Sequence, residues 1–421
     1  MFSSKDKSDT KRLFVISAGN VQSPEDWKRY PESNQTAAIE DPAQAWNALT
    51  VGACMNKTKI TESGTENYLP VAQAGELSPI SRTSLTWNHH WSLKPDIVLE
   101  GGNIARSPKN EMMDYESLSV LTAAPDWETR GNHFVPFLGT SPATAQASWM
   151  AAQLYSAYPA MWAETVRGLI VHSARWTDTM TKNTPIQQLK RGNVRQLLRT
   201  VGFGIPNLQR ALKSVKNSVT MILQDEYFQP FVREKNTVKY NAIRLFELPL
   251  PKEILRELGD IQAEIRVTLS YFISPNPGRK GLENRYRYPS STLRFDLNNI
   301  GEDRNDFCKR LNRREEDDEE TRQSGSERWV IGSNLRHRGS IHTDIWQGAA
   351  VDMVDCRYLA VYPSGGWWKE RKEYCENKVR FSLIVSLDLP EAIGVNVYNA
   401  IQQEIELKTS VSSPVTISVP Q

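Results

Sequence analysis

The apolar residues of this chain change their period once, near residue 216, and that change divides the fold. Before it, short apolar runs end in glycine or asparagine: "RLFVISAGN" (12–20), "ALTVGACM" (48–55) and "KPDIVLEGGN" (94–103) read as buried parallel strands. "FVPFLG" (134–139) leads into a helix expected over 142–157, where Ala147, Met150, Ala151 and Leu154 recur at helical spacing. A second helix is expected over 160–174, with Trp162, Val166, Leu169 and Ile170 as its apolar stripe. Glycines and a proline in "VGFGIPNLQRAL" (201–212) precede a short third one. After 216 the pattern becomes period two in "SVTMILQD", "VKYNAIRLFELP", "AEIRVTLSYFISP", "TLRFDLNN", "CRYLAVYPS", "VRFSLIVSLDLP" and "IGVNVYNAIQQEIEL". Alternation bounded by Pro, Gly, Asn and Asp predicts antiparallel strands. The expected architecture is α/β over 1–215, a partial parallel sheet with flanking helices, then an all-β, sandwich-like domain over 216–421. A charged loop near 309–328, holding "KRLNRR" and "RREEDDEETRQSGSER", is expected within that domain.

Composition narrows the classes. With 421 residues, 39% hydrophobic and 24% charged, the chain has apolar material for two or three cores. A net charge of +2 gives no basic footprint, so no nucleic acid is expected as a partner. No window approaches about 18 consecutive apolar residues and the N-terminus lacks the pattern of a signal peptide, so no membrane association is expected. Cys54, Cys308, Cys356 and Cys375 are scattered without a C-x-x-C pair. That speaks against zinc and for reduced thiols in a cytoplasmic protein, with no metal or cofactor expected.

The chemistry concentrates in "GTSPATAQ" (139–146). Ser141 before Pro142 suits a helix cap, since Ser accepts a backbone N–H bond and Pro fits the first helical position. It equally suits a nucleophile: Gly139 and Thr140 permit a tight turn, and the helix N-terminus supplies N–H groups and partial positive charge for an oxyanion. Asn20, just past a strand, is either a turn residue or a side-chain amide donor to the same oxyanion. An α/β-hydrolase elbow is set aside, because "GTSPA" lacks the second glycine of Gly-x-Ser-x-Gly.

"LFVISAGN", "ALTVGA", "LSPISRTS", "KPDI", "GTSPATAQASWMAAQL" and "VGFGIPNLQRAL" occur in an order that resembles subtilisin-like serine proteases, the subtilases. The resemblance covers about residues 12–212 and corresponds to the C-terminal half of the catalytic domain. It implies a serine endopeptidase that hydrolyses protein or peptide substrates through an acyl-enzyme at Ser141. It also implies that Asn20 is the oxyanion donor and that Ser17, Ala18 and Gly19 form one wall of the pocket for the side chain before the scissile bond. "KPDIVLEGGN" departs from the family's more usual Ala-Pro-Gly ending, so substrate preference does not carry over.

The family orders its catalytic groups Asp, His, Asn, Ser. Here no histidine precedes Asn20, and neither an Asp-Thr/Ser-Gly nor a His-Gly-Thr-His motif occurs. His89, His90, His133, His172, His337 and His342 are each expected in surface or packing roles. The expectation is a chain that lacks its base. It is a gene fragment, one half of a split enzyme whose second chain or N-terminal segment supplies Asp and His, or a remnant. The alternative function is a non-catalytic interaction module acting through the β domain, with the aromatics of "GGWWKE" (365–370) as candidate contacts.

Overall fold

The computed structural model describes residues 11–88, 91–125, 127–216, 220–278, 288–316, 328–389 and 415–418. They form two compact units. One holds the described residues of 13–160 and 173–208; the other holds those of 161–172 and 209–421, together with Lys11 and Arg12.

The first unit is built on a parallel sheet of β1 (Val15–Ser17), β2 (Leu49–Cys54) and β3 (Ile97–Glu100), in the order β1-β2-β3. The central strand is buried along its whole length, which explains its unbroken apolar run. Lys94 leads into β3 and makes a buried ion pair with Asp96 at 2.7 Å, the two side chains 2% and 1% exposed. The other ends of this pair bind backbone: Lys94 Nζ donates to Ala48 O, and Asp96 Oδ2 accepts the Thr50 N–H. The polar "KPD" stretch therefore fastens β3 to β2 from inside. The contacts converge on Lys94 Nζ and Asp96 Oδ2, while Asp96 Oδ1 is buried without a hydrogen-bond partner among the described residues.

"FVPFLG" does not join this sheet. β4 (Val120–Ala123) and β5 (Phe134–Phe137) form a separate antiparallel hairpin whose Phe134 is 63% exposed. The following helix, α1 (Thr140–Ala157), starts two residues earlier than the sequence suggests and buries Ala147, Met150, Ala151 and Leu154 as expected. Downstream, α3 (Arg191–Thr200) is a helix the periodicity reading passes over. It buries Val194, Leu197 and Leu198, and Arg199 donates to the carbonyls of Ser84, Trp87 and Asn88.

The second unit begins in sequence with α2 (Ala163–Ser173), the anticipated helix over 160–174. Its apolar stripe is buried at Val166, Leu169 and Ile170, but so are Glu164, Arg167 and His172. Glu164 pairs with Arg380 at 2.6 Å. Arg167 donates to Ser270 Oγ and to the carbonyls of Tyr271 and Ser340, and His172 bonds Thr268 Oγ1 and Ser386 Oγ. These partners lie on two strands of one sheet and the turn beside them. After α4 (Leu208–Lys216) come β6 (Thr220–Phe228), β7 (Ala242–Glu247), β8 (Gln262–Tyr271), β9 (Thr292–Leu297), α5 (Arg304–Glu316), β10 (Ile341–Ala349), β11 (Tyr358–Ser364), β12 (Val379–Asp388) and β13 (Val415–Ser418). They pair into two antiparallel sheets, β9-β11-β7-β13 and β10-β8-β12-β6. The fold class is thus an α/β region with a parallel sheet followed by a β-rich region, as the period change predicts.

Two local expectations change. "KRLNRR" is not loop but the body of α5, where Phe307 and Leu311 pack against Ile243, Leu245, Ala360 and Tyr362. Arg310 ties the helix to Asp296 and Glu302. The charge run from 317 to 327 lies outside the described residues, as does "IGVNVYNAIQQEIEL". The aromatics of "GGWWKE" are not exposed: Trp367 and Trp368 are 4% and 8% accessible, and Trp367 Nε1 donates to Ser274 O. A strand missed by the period-two scan, β10, is broken up in sequence by His342 and Asp344, both fully buried.

Candidate active site

The predicted site residues meet beyond the carboxyl ends of the parallel strands, where open α/β sheets ordinarily bind ligands. β1 delivers the stretch from Ser17 to Asn20 to this edge. Ser17 ends the strand and is half-buried; Ala18 is fully buried in a small cluster with Ile39 and Ala43. Gly19 takes a φ of +92°, in the left-handed region glycine tolerates, and turns the chain so that Asn20 faces the start of α1. Asn20 is then held through its backbone. It bridges Ser81, and its carbonyl accepts Arg82 Nε at 3.0 Å.

From the other side, β3 ends in Glu100-Gly101. Gly139 N donates to Gly101 O at 2.9 Å, and Gln146 Nε2 of α1 donates to Glu100 O at 2.7 Å. A Cβ on Gly101 would lie 2.4 Å from Ala53 Cβ and 2.6 Å from Gly139 O, so only glycine lets the turn at Gly139 approach the sheet this closely. The Glu100 carboxylate accepts the N–H groups of Asn56 and Gly102; burial nevertheless pushes its pKa upward.

The decisive contact joins the two sides. Asn20 Oδ1 accepts the Thr140 N–H at 2.8 Å and lies 2.9 Å from Thr140 Oγ1, which also reaches Gly19 O at 3.3 Å. Thr140 is the first residue of α1, and Gly139 before it makes no side-chain cap. The helix is therefore capped by Asn20, from 120 positions away in the sequence. The expectation that Ser141 is the cap is corrected: it sits inside the first turn, is exposed, and its hydroxyl makes no hydrogen bond among the described residues. The same contact fixes the Asn20 amide. A backbone N–H can only donate, so the oxygen must face Thr140 and the NH₂ must face away, free to donate elsewhere.

The described histidines do not reach Ser141 by hydrogen bonds. His172 is committed through both ring nitrogens to Thr268 and Ser386, and His342 Nε2 bonds Gly339 O. His337 accepts from Arg336 Nε, and His133 sits exposed where its carbonyl pairs with Ala124 N. His89 and His90 lie outside the described residues. Sequence reasoning did not single out Arg82 or Glu40, and it read Thr140 only as part of a tight turn. Arg82 belongs to the quoted "LSPISRTS", but its role depends on contacts with residues 38–40 and 20 that no local pattern reveals.

An asparagine from the turn after β1 thus caps the helix that carries an exposed serine. Residues 2–204 match the model of the Subtilase family. The chain is 27% identical over 274 residues to the uncharacterized protein y4bN of Sinorhizobium fredii (strain NBRC 101917 / NGR234), an alignment covering 62% of this chain and 58% of that one. It thus spans less than two thirds of that relative's length. Among solved structures it is similar to MycP1 with the N-terminal propeptide removed: 19% identity, 48% of this chain, 50% of that chain, TM-score 0.24.

Proposed function

We propose that this chain carries the nucleophile and oxyanion half of a serine endopeptidase site. Ser141 Oγ attacks the scissile carbonyl of a peptide. The Asn20 NH₂ and the Ser141 backbone N–H donate to the oxyanion, in the field of the α1 N-terminus. Ser17, Ala18 and Gly19 form the wall beside the residue preceding the scissile bond. The observation that carries this reading is the cap: because Asn20 satisfies the helix start, the Ser141 hydroxyl has no structural duty there.

Attack by a neutral serine requires a base bonded to its hydroxyl and a carboxylate orienting that base. No described residue is in that position, so the reading includes a histidine and an aspartate brought by another segment or chain. Without them, only the residual effect of an oxyanion hole is expected, about 10³–10⁴ over water. The test is labelling by a fluorophosphonate probe with mass-spectrometric mapping. Slow or absent labelling of this chain alone, becoming rapid and confined to Ser141 once the complementary segment is added, is the expected outcome. Rapid labelling of this chain alone would show that its base is already present. Labelling that survives Ser141→Ala would remove the serine from the mechanism.

A further inference from the structure

The surface that the Ser17–Gly19 wall offers is not apolar backbone but a carboxylate. Gly19 is itself buried, because the Glu40 side chain lies on it. The position a Cβ would take on Gly19 is 2.6 Å from Glu40 Oε2 and 2.8 Å from its carboxyl carbon. The opposite side of Gly19 is the nucleophile turn, through Thr140 Oγ1 to Gly19 O at 3.3 Å. One glycine thus separates Glu40 from the residue next to Ser141. Glu40 is held in place at both ends. Its N–H donates to Ala18 O at 3.1 Å, and its Oε1 pairs with Arg82 at 2.8 Å. Arg82 in turn donates to the carbonyls of Asn20 and Ala38. The carboxylate is not consumed by this pairing: it remains 54% exposed, with Oε2 turned to Gly19. Asp41 follows it and is also exposed. Glu40, Asp41 and Arg82 together leave one negative charge at this wall.

Resting on the peptidase reading above, we propose that Glu40 is the specificity-determining residue of the site and selects a cationic side chain, lysine or arginine, immediately before the scissile bond. Arg82 is a positioning residue that holds both the Glu40 carboxylate and the Asn20 backbone, coupling the specificity wall to the oxyanion donor. The Glu40 carboxylate keeps Oε2 toward Gly19 while Oε1 pairs with Arg82, and a guanidinium or amidinium can offer Oε2 a charge-assisted hydrogen bond that a neutral side chain cannot.

The test does not depend on turnover. p-Aminobenzamidine, an arginine side-chain mimic, is titrated against the full chain by fluorescence, beside its neutral analogue p-aminobenzamide. The chain is expected to bind the cation better than the amide. Glu40→Gln is expected to lower affinity for the cation by roughly 10- to 100-fold and leave that for the amide unchanged. A half-exposed ion pair contributes little to folding, so Glu40→Gln is expected to keep the wild-type melting curve, and Glu40→Asp to retain part of the preference. Ser141→Ala leaves cation binding intact, which separates the two readings. Cation selectivity without Ser141 labelling in the complemented protein would remove the nucleophile and keep the pocket. Equal affinity for the two ligands, or unchanged cation affinity in Glu40→Gln, overturns the assignment of Glu40 even where Ser141 labels.

Discussion

In the proposed site Asn20 has two jobs at opposite ends of one amide, capping and oxyanion donation, and two substitutions separate them. Asn20→Ala removes the acceptor of the Thr140 N–H, bonded at 2.8 Å, together with the outward NH₂. Losing a helix-start acceptor costs about 0.5–2 kcal/mol. Asn20→Asp keeps an oxygen toward Thr140, and a carboxylate at a helix N-terminus adds about 0.3–1 kcal/mol of stabilisation. Nevertheless the aspartate has no donor for an oxyanion. The two variants are therefore expected to differ by about 1–2 kcal/mol in stability, with Asp the more stable. In a melting experiment that is a few degrees, at roughly 2–4 °C per kcal/mol for a unit of this size. Both are expected to lose about 10²–10³ in Ser141 acylation by a peptide substrate in the complemented protein, the size measured for one such donor in a subtilase. The melting comparison needs no turnover. If Asn20→Asp is as unstable as Asn20→Ala, the capping argument is wrong. If Asn20→Asp acylates at the wild-type rate, the donor argument is wrong.

Other consequences follow from buried polar groups. Lys94→Met strands the Asp96 carboxylate inside the first unit and is expected to cost about 3–5 kcal/mol by urea denaturation, part of it recovered in Lys94→Met/Asp96→Leu; a loss below about 1 kcal/mol would refute the buried-pair reading. Arg167→Met leaves the carbonyls of Tyr271 and Ser340 without this donor, at about 1–3 kcal/mol each, and Arg167→Lys is expected to restore little of it because one ammonium cannot span four acceptors. An Arg167→Met chain that unfolds at the wild-type urea concentration would contradict this. Burial lowers the pKa of His342 to about 3, and burial together with Arg336 holds His337 well below its ordinary value of 6.5. The unfolded chain takes up these protons first as pH falls below about 6.5, so the β-rich unit is expected to lose stability toward acid, roughly tenfold in its folding equilibrium per pH unit for each histidine. His342→Gln is expected to flatten that slope by about one proton between about pH 6 and pH 4, and an unchanged slope would show that His342 does not supply it.

The parts of this molecule legible in the sequence are those whose causes are local. β2 is apolar because both its faces are covered, and α1 shows its stripe because one side packs on the sheet. α2 is the counterexample. Glu164, Arg167 and His172 read as the exposed side of an amphipathic helix, yet they face strands more than 90 residues away whose hydroxyls and carbonyls satisfy them. Periodicity distinguishes apolar from polar residues; it does not distinguish a solvated polar face from one matched by a polar sheet surface. β10 fails for the same reason, since Asp344 inside it is paid in backbone N–H bonds from Ile331 and Gly332 and in an ion pair with Arg336.

The serine shows how this limit bears on function. Read locally, a Ser-Pro at a helix start has a sufficient explanation in capping, and Gly139, Thr140 and the helix N-terminus only make a nucleophile possible. Only the chain's return at β1 shows that the acceptor comes from Asn20. That removes capping as the explanation for the hydroxyl and supports the proposed chemical one. It also means the two residues are not independent. Asn20 holds the first N–H of the helix whose first turn carries Ser141, while Arg82 holds the Asn20 backbone and the Glu40 carboxylate. A substitution at Arg82 is therefore expected to disturb cation selection and oxyanion donation together, although Arg82 makes no hydrogen bond to Ser141. Arg82→Lys keeps a charge for Glu40 but cannot bridge the carbonyls of Asn20 and Ala38 in the same plane. It should weaken acylation more than it weakens p-aminobenzamidine binding; the reverse order would break the coupling.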